Sequence, residues 1–409
     1  MVREPSLRTR VAVLARGGRR GASAGRFGRG EGTGRRLRGL AGSAPPPPFD
    51  RVRFTSRLRS EGVAARLGIA LGCAFTLAFV TGLFSHFLQH PPSWLDWPSR
   101  PVWLYRLTQG LHVIGGLAAI PLLLAKLWTV YPRLWQWPPF RSVAHAVERG
   151  LVLLLVAGAL FQLVTGLLNI AYIYPWPFSF PVAHYWTAFI VYGALIVHVL
   201  NEWAKVRRSV VTPVEPGRRG FLLAVAAACG VTVLATAGET VTPLQGLAVL
   251  APRAPSIGPQ GLPVNRTALA AGVSPADAGY RLTLTGGATP VELGYADLAR
   301  LPQHTVELPI ACVEGWSVTA RWTGVRLADL MAMAGAPGDA VLTVESLETH
   351  GGYRTSEVRP PHWHDPLTLL ALRVNGRTLH LDHGYPLRLI APNRPGVQQT
   401  KWVHRIVIA

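Results

Sequence analysis

The stretch Leu308-Pro-Ile-Ala-Cys-Val-Glu-Gly-Trp-Ser317 contains Cys312, the only thiol of the chain that lies outside a long apolar segment. An isolated cysteine is usually a small hydrophobic side chain in a core. As a thiolate, however, it is a soft ligand for a transition metal. The sequence around Cys312 decides between these two interpretations.

The composition indicates a membrane protein with a second, soluble part. The chain has 409 residues, of which 49% are hydrophobic, and it contains 13 Trp. This length leaves room for two or three domains. Five apolar segments approach the roughly 20 residues that span a bilayer. They cover residues 64–88, 107–130, 149–173, 183–203 and 221–238.

The net charge of +20 is concentrated at the N-terminus, where residues 1–60 contain 15 Arg. Lysine occurs only at Lys126, Lys205 and Lys401, so a base-composition bias could account for much of the arginine content. No aromatic-interleaved basic motif is present, and nucleic-acid binding is not predicted. The first 50 residues are rich in Arg and Gly and predict a disordered cytoplasmic tail. A start codon assigned too far upstream would give the same kind of sequence.

The basic loops predict the orientation of the helices. Basic residues precede the first span and lie between the second and third spans and between the fourth and fifth. By the positive-inside rule these loops are cytoplasmic. The N-terminus is therefore predicted on the cytoplasmic side of a bacterial cell membrane, and the chain after residue 238 on the outer side.

Four histidines lie within the predicted spans, namely His86, His112, His184 and His198. Histidines inside a membrane are costly and usually functional. His184 and His198 are 14 residues apart, which on a helix is about 21 Å and almost four turns, so both point to one face. Two stacked haems need that arrangement. Hydrogen bonding between helices is the structural alternative.

This histidine pattern resembles the membrane cytochrome b subunits of formate dehydrogenases and uptake hydrogenases. The resemblance implies one or two b-type haems with bis-His ligation, which exchange electrons with quinone or quinol. His112 with His184 is the preferred outer pair, and His86 is a competing outer ligand. His198 needs a partner, for which His145 is a weak candidate. That family has a further His at the inner end of its first helix, but residues 58–70 contain none.

An export signal is predicted inside the chain. Pro216-Gly-Arg-Arg-Gly-Phe-Leu-Leu223 precedes the fifth span and resembles a twin-arginine signal. Paired arginines before a span are also an ordinary positive-inside stop. The twin-arginine route moves folded domains, so this motif favours a cofactor in the soluble domain that follows.

The soluble part reads as an α+β domain of about 150 residues. Strands are predicted at 280–285, 305–308, 340–345, 387–390 and 402–408. Short helices are predicted at 327–334 and 365–370.

Three blocks of sequence stand out in this part. They are Cys312–Ser317 with Trp322–Leu327; Asp365–Leu370 with Asn375-Gly376; and His383–Pro392 leading to Gln399–Trp402. In this order and spacing they resemble the molybdopterin domain of the sulfite oxidase family. The Cys-Val-Glu-x-Trp-Ser form is similar to its bacterial exported branch, which includes the periplasmic methionine sulfoxide reductase catalytic subunit.

The resemblance implies that a pterin dithiolene and the Cys312 thiolate hold molybdenum. The expected cofactor contacts are Asn265, Arg266, His304, His383, Arg388 and Lys401. Besides Cys312, the expected catalytic residues are Tyr353, Arg354 and Arg394. Tyr353 could equally be a half-buried strand aromatic. Arg321, Arg354 and Arg394 are alternatively a ring around a sulfite-like anion, while His362 and His364 carry only a weak prediction of a second metal.

The sequence thus predicts a basic tail (1–60), a four-helix cytochrome b-like domain (61–210), a signal with a fifth helix (211–240), a linker (241–260) and a molybdopterin domain (261–409). The predicted function is oxygen-atom transfer to or from a small oxyanion or a sulfoxide outside the membrane. Electrons pass through haem to or from the quinone pool. The alternative is a haem electron carrier with a non-catalytic outer domain. The direction of electron flow and the oligomeric state stay open.

Overall fold

The computed structural model of the chain describes residues 56–92, 94–134, 140–238, 241–249, 257–274 and 279–409. The predicted tail, apart from residues 56–60, lies outside these ranges, and so does part of the predicted linker. The helices and the soluble domain described below belong to one compact unit.

The five predicted spans are confirmed as long apolar helices. They are α1 (Glu61–Gln89), α2 (Leu104–Leu134), α3 (Val143–Ala171), α4 (Phe180–Val210) and α5 (Pro216–Ala237). With 22 to 31 residues each, they are long enough to cross a membrane, because about 20 residues span the hydrocarbon core.

The bundle is arranged around α2, which packs against α1 and α5, while α1 also contacts α4 and α3 pairs with α4. Many large apolar side chains face outward. Leu153 is 60% exposed, and Leu200 is 69% exposed. Such a surface is unfavourable in water and suits a lipid environment.

The soluble domain contains two five-stranded sheets. The strands are β1 (Arg281–Thr285), β2 (Val291–Gly294), β3 (His304–Ala311), β4 (Ser317–Arg326), β5 (Leu342–Ser346), β6 (Thr355–Val358), β7 (Leu369–Val374), β8 (Arg377–Thr378), β9 (Arg388–Ile390) and β10 (Val403–Ile408). The first sheet has the order β2-β1-β10-β5-β6, in which only β1 and β10 are parallel. The second has the order β3-β4-β7-β8, and β9 pairs with β7.

Short helices cover these sheets. They are α6 (Ala268–Ala271), α7 (Tyr295–Arg300), α8 (Leu327–Met333) and α9 (Pro360–Trp363). Alternate residues of β1 and β5 are buried, as expected for strands with one face on a core. The α+β prediction is confirmed, and so are the five predicted strands and the helix at 327–334.

The helix predicted at 365–370 is wrong. The side chain of Asp365 accepts a hydrogen bond from the Leu367 backbone N–H at 2.9 Å, which closes a turn. Leu369 and Leu370 then enter β7. Asp commonly competes with helical hydrogen bonding in this way, and Pro366 favours the same local turn.

The soluble domain docks on the end of the bundle that is formed by the end of α1, the start of α2 and the loop between them. Arg100 in this loop forms a bidentate ion pair with Asp365, at 2.8 and 3.0 Å. The Asn393 side chain accepts from the Tyr105 backbone N–H at 2.9 Å and donates to the Pro98 carbonyl at 2.8 Å. These contacts fix the domain against α1 and α2.

Candidate active site

Cys312 lies in the tight turn between β3 and β4. Its backbone N–H donates to the Trp316 carbonyl at 2.9 Å, and its carbonyl accepts from Gly315 at 3.1 Å. Gly315 has a φ of 103°, which other residues rarely adopt. A Cβ on Gly315 would also lie 2.9 Å from Val113 of α2. The turn that carries Cys312 therefore needs glycine both for its backbone and for its close approach to the bundle.

Cys312 is 1% exposed and lines a cleft with an empty volume of about 360 Å³. The structure brings five of the predicted site residues together here. They are Asn265, Cys312, His383, Arg388 and Lys401. Residues far apart in the sequence thus converge on one thiol.

The buried Arg388 and the half-buried Lys401 place two basic groups at this cleft. The Arg388 guanidinium donates to the His383 carbonyl at 3.1 Å, while its Nε has no hydrogen-bond partner within the described residues. The Lys401 ammonium donates to the Asn265 side chain and to the Arg266 and Asp382 carbonyls. Neither cation forms an ion pair with a carboxylate in the part of the chain that the structure describes.

The pKa values follow from this environment. Burial lowers the pKa of Arg388 to about 9, and burial together with the Arg388 charge lowers the pKa of Lys401 to about 7. Burial also lowers the pKa of His383 to about 4, so its ring is neutral at pH 7. Buried cations normally have an anionic partner. The phosphate of a pterin cofactor would supply it, so these residues fit the group that the resemblance implies.

Besides Tyr353, which is described below, four predicted residues of the soluble domain lie outside the cleft lining. Arg266 borders it through its carbonyl but forms an ion pair with Glu348 at 3.1 Å. His304 begins β3 and faces Asp329 at 3.7 Å. Because β3 is eight residues long, His304 is roughly 25 Å from the Cys312 end of the strand. Arg354 is exposed, and its carbonyl accepts from Ser346.

Arg394, the fourth, is buried beside a different cavity and donates to the Gln398 and Glu357 carbonyls. Arg321, from the alternative anion ring, bonds through its backbone to Asn375. The predicted ring of Arg321, Arg354 and Arg394 is therefore not assembled at the Cys312 cleft.

Two tyrosines lie near Cys312. Tyr353 is 40% exposed, and burial and the Cys312 thiol raise its pKa. Tyr105 of α2 is 1% exposed and packs against Ala311, the neighbour of Cys312. Cys312 and Tyr353 both act electrostatically on Tyr105. Tyr105 was not predicted, because nothing in an apolar helix indicates that a distant domain docks over it.

The preferred histidine pair comes together in the bundle. The rings of His112 and His184 have centroids 6.2 Å apart and planes at 72°. The Nδ1 of His112 bonds the Ala78 carbonyl at 2.8 Å, and the Nδ1 of His184 bonds the Thr165 hydroxyl at 2.9 Å. Both Nδ1 atoms are occupied, so each ring has its Nε2 for a further ligand.

The other histidines are arranged differently. His86 stacks on Tyr185 with centroids 3.8 Å apart and lies beside His90. His145 accepts from the Arg141 backbone at the opposite end of the bundle. Within the described residues His198 has no ring contact with another histidine. These positions do not supply His198 with a histidine partner.

Comparison with known proteins supports the predicted molybdopterin domain in the soluble part. Residues 270–409 match the family model described as oxidoreductase molybdopterin binding domain. Mitochondrial sulfite oxidase of Mus musculus is 31% identical over 157 residues, which cover 32% of this chain and 29% of that protein. Sulfite oxidase of Arabidopsis thaliana is 30% identical over 161 residues, 31% of this chain and 41% of that protein.

Two further proteins are similar over about a third of the chain. A putative protein-methionine-sulfoxide reductase subunit YedZ1 of Azospira oryzae is 30% identical over 132 residues, 32% of this chain and 49% of that protein. The sulfane dehydrogenase SoxCD structure from Paracoccus pantotrophus has a TM-score of 0.31 at 26% identity, covering 33% of this chain and 39% of that chain. The chain spans less than half the length of the curated relatives cited. Its soluble part is a molybdopterin-binding oxidoreductase domain similar to sulfite oxidase.

Removing the Arg388 charge should have opposite effects on cofactor binding and on the stability of the cofactor-free fold. Arg388→Leu is expected to stabilise the cofactor-free chain by about 2 kcal/mol, because a buried charge without a counter-ion is unfavourable. The same variant should lose molybdenum. Thermal unfolding of cofactor-free protein and metal analysis of mature protein measure the two effects. Arg373→Leu, at an exposed position of β7, is the control, and wild-type molybdenum content in Arg388→Leu would contradict the assignment.

Cofactor binding should depend on pH through Lys401. Its pKa of about 7 in the empty cleft means that it is charged below pH 7 and neutral above. Binding a phosphate favours the charged form, so binding takes up a proton above pH 7, and affinity falls up to about tenfold per pH unit. Lys401→Arg keeps its charge and should flatten this profile. Molybdenum retained after dialysis from pH 6 to about pH 8, below the Arg388 pKa of about 9, measures it, and a flat wild-type profile would disprove this role.

Proposed function

We propose that the chain is a membrane-bound molybdenum oxidoreductase that transfers an oxygen atom outside the membrane and is coupled through b-type haem to the quinone pool. The observation that carries this proposal is the contact between the Cys312 turn and one face of α2. The Gln109 side chain of α2 donates to the carbonyl of Val313, the residue after Cys312, at 2.9 Å.

The same face of α2 carries the outer haem-ligand candidate. Tyr105, Gln109 and His112 follow each other at i, i+4 and i+7, so they lie along one side of the helix. Tyr105 packs beside the thiol turn, Gln109 bonds to it, and His112 pairs with His184 deeper in the bundle. This series is a short route for electrons between the two cofactor sites.

The spacing of His112 and His184 supports haem binding. The two rings lie 6.2 Å apart, and the Nδ1 atom of each is already hydrogen-bonded. Their Nε2 atoms would hold the iron of a haem bound between them. Gly82 of α1 makes room for His112, because a Cβ there would lie 2.8 Å from the His112 ring.

The residues of the cleft divide into those that hold the cofactor and those that face the substrate. Cys312 would hold molybdenum, and Arg388 and Lys401 would hold the phosphate. The bound group supplies a centre that exchanges an oxygen atom. Tyr353 is protonated at pH 7, as a tyrosine ordinarily is, and burial raises its pKa further. Its hydroxyl can donate a hydrogen bond to a substrate oxygen.

The charges around Cys312 favour a neutral substrate. Arg388 and Lys401, the two cations that act on the thiol, are both engaged on the cofactor side of the cleft. On the other side Cys312 has Tyr105 and Tyr353. A sulfoxide needs only a hydrogen-bond donor, whereas an oxyanion needs cations. We therefore favour sulfoxide reduction, with sulfite-type oxidation as the second candidate.

The proposed location follows from the ends of the bundle. Arg133 at the end of α2 pairs with Glu61 at the start of α1 at 3.0 Å, and Arg66 binds the last turn of α4. The arginines are therefore at the end of the bundle away from the soluble domain. By the positive-inside rule this end is cytoplasmic, and the soluble domain is outside the cell membrane.

Assays of the purified chain test the substrate. We expect methionine sulfoxide to be reduced with reduced methyl viologen as the electron donor, and sulfite to be oxidised far more slowly, because Arg388 and Lys401 are engaged with the cofactor and Tyr353 offers a neutral donor. Cys312→Ser should abolish the activity. Sulfite turnover that exceeds sulfoxide turnover would select the second candidate, and no activity in molybdenum-loaded protein would favour the non-catalytic alternative.

Removing either histidine of the pair should remove the outer haem. We expect the Soret absorbance of the outer haem to be lost in His112→Ala and in His184→Ala. Each variant would leave only one histidine to hold the haem iron. Reduced-minus-oxidised spectra measure the loss. His86→Ala is the matched control, since His86 stacks on Tyr185 instead. Loss of the signal in His86→Ala alone would move the ligand to that residue.

Gln109→Leu should slow electron transfer between the cofactors, because it removes the hydrogen bond to the Cys312 turn. We expect several-fold slower oxidation of prereduced haem by methionine sulfoxide, with the haem potential unchanged. Stopped-flow spectroscopy measures the rate. Gln303→Leu, whose amide bonds to carbonyls within the soluble domain, is the control. An unaltered rate in Gln109→Leu would remove this residue from the route.

A further inference from the structure

A second cavity, which we call the junction cavity, lies where the soluble domain meets the bundle. It has an empty volume of about 380 Å³. One wall is apolar and comes from the end of α1 and the loop after it, with Leu88, Leu95 and Trp97. The facing wall is polar and comes from the soluble domain, with His362 and Arg394. The cavity is therefore amphipathic and lies at the end of membrane helices.

His362 lines this cavity and has a buried hydrogen-bond acceptor that is unused in the described chain. The residue is 6% exposed, and its Nε2 has no partner among the residues that the structure describes. The ring bonds to the Asn393 backbone, which leaves Nε2 with the lone pair. Burial and the Arg394 charge lower the pKa of His362 to about 3, so the ring is neutral. A buried acceptor of this kind needs a donor.

The charges around the cavity are balanced. Arg359 pairs with Asp96 at 3.0 Å and with Glu357 at 2.6 Å. Arg394 donates to the Glu357 carbonyl at 2.6 Å, and the Glu357 charge acts on it. Two arginines thus face two carboxylates. The cavity does not require an anion and suits a neutral ligand.

These features select one chemical class of ligand. It must be neutral, carry a hydroxyl that donates to His362, and have an apolar body for the wall of Leu88, Leu95 and Trp97. Sulfoxides and the sulfite dianion carry no donor. A hydroquinone with a lipid tail has a donor at the ring and an apolar body that the membrane end of the cavity can receive.

We propose that the junction cavity binds the head group of a quinol, with His362 Nε2 accepting a hydrogen bond from a quinol hydroxyl and Arg394 near the opposite oxygen. This inference rests on the proposed function, because the quinol is the electron donor of that reaction. The balance is one quinol and one sulfoxide giving one quinone, one sulfide and one water. The two protons released by the quinol are those found in the water.

Purified full-length chain loaded with molybdenum and haem tests this site. Methionine sulfoxide reduction is driven either by decylubiquinol or by reduced methyl viologen, which does not need a quinol site. In His362→Leu we expect the ratio of decylubiquinol-driven to viologen-driven activity to fall about tenfold through a higher KM for the quinol. His362→Asn, which keeps an acceptor, should recover part of the loss.

Two further variants make the test specific. His364→Leu is the matched control, since its Nε2 bonds the Gly338 carbonyl outside the cavity, and it should keep the wild-type ratio. Leu95→Glu alters the opposite wall and should repeat the loss even if His362→Leu does not fold. Wild-type ratios in both His362→Leu and Leu95→Glu would overturn the site, as expected if the cavity holds only water. Absence of viologen-driven activity in the wild type would instead refute the proposed function.

Discussion

The approach of the Cys312 turn to α2 is the contact on which the rest of the molecule depends. It requires Gly315, since any side chain there would collide with Val113, and it is fixed by the hydrogen bond from Gln109 to Val313. Because Gln109 is within one helical turn of His112, the position of the soluble domain also sets the distance between the two proposed cofactor sites. The ion pair of Arg100 with Asp365 and the bonds of Asn393 hold this arrangement.

The charges in the cleft couple cofactor binding to the stability of the fold. Arg388 is buried and Lys401 half-buried, and neither has a carboxylate ion pair in the described chain. This arrangement is unfavourable until an anion binds. We therefore expect the cofactor-free domain to be less stable than the cofactor-bound domain. The junction cavity contrasts with this, because its two arginines are matched in number by Asp96 and Glu357, and its unused group is a neutral acceptor. One cavity suits an anion, and the other suits a neutral hydroxyl.

Much of the fold could be predicted from the sequence because its signals are local. Apolar length predicted the five long helices, the strand-like runs predicted five of the strands in the described residues, and the motif around Cys312 predicted the molybdopterin domain. The helix expected at 365–370 failed because the Asp365 side chain closes a turn that periodicity does not reveal. The site was predicted in part: the motifs identified Asn265, Cys312, His383, Arg388 and Lys401, which do meet in one cleft.

The residues that sequence reasoning missed all depend on docking. Tyr105 and Gln109 look like ordinary members of an apolar helix, and only the contact with the soluble domain gives them a role. Arg394 was expected beside Cys312, but its side chain lines the junction cavity instead. No pattern in one segment indicates which surface of another segment covers it.

We propose that molybdenum and haem act in one chain across the contact between Cys312 and α2. Purified protein with measured molybdenum and haem contents, its haem reduced in advance, can be mixed with methionine sulfoxide in a single turnover. We expect the haem to be reoxidised in the wild type and to stay reduced in Cys312→Ser. Haem that stays reduced in molybdenum-loaded wild type, or a purified chain without haem, would disprove the coupling.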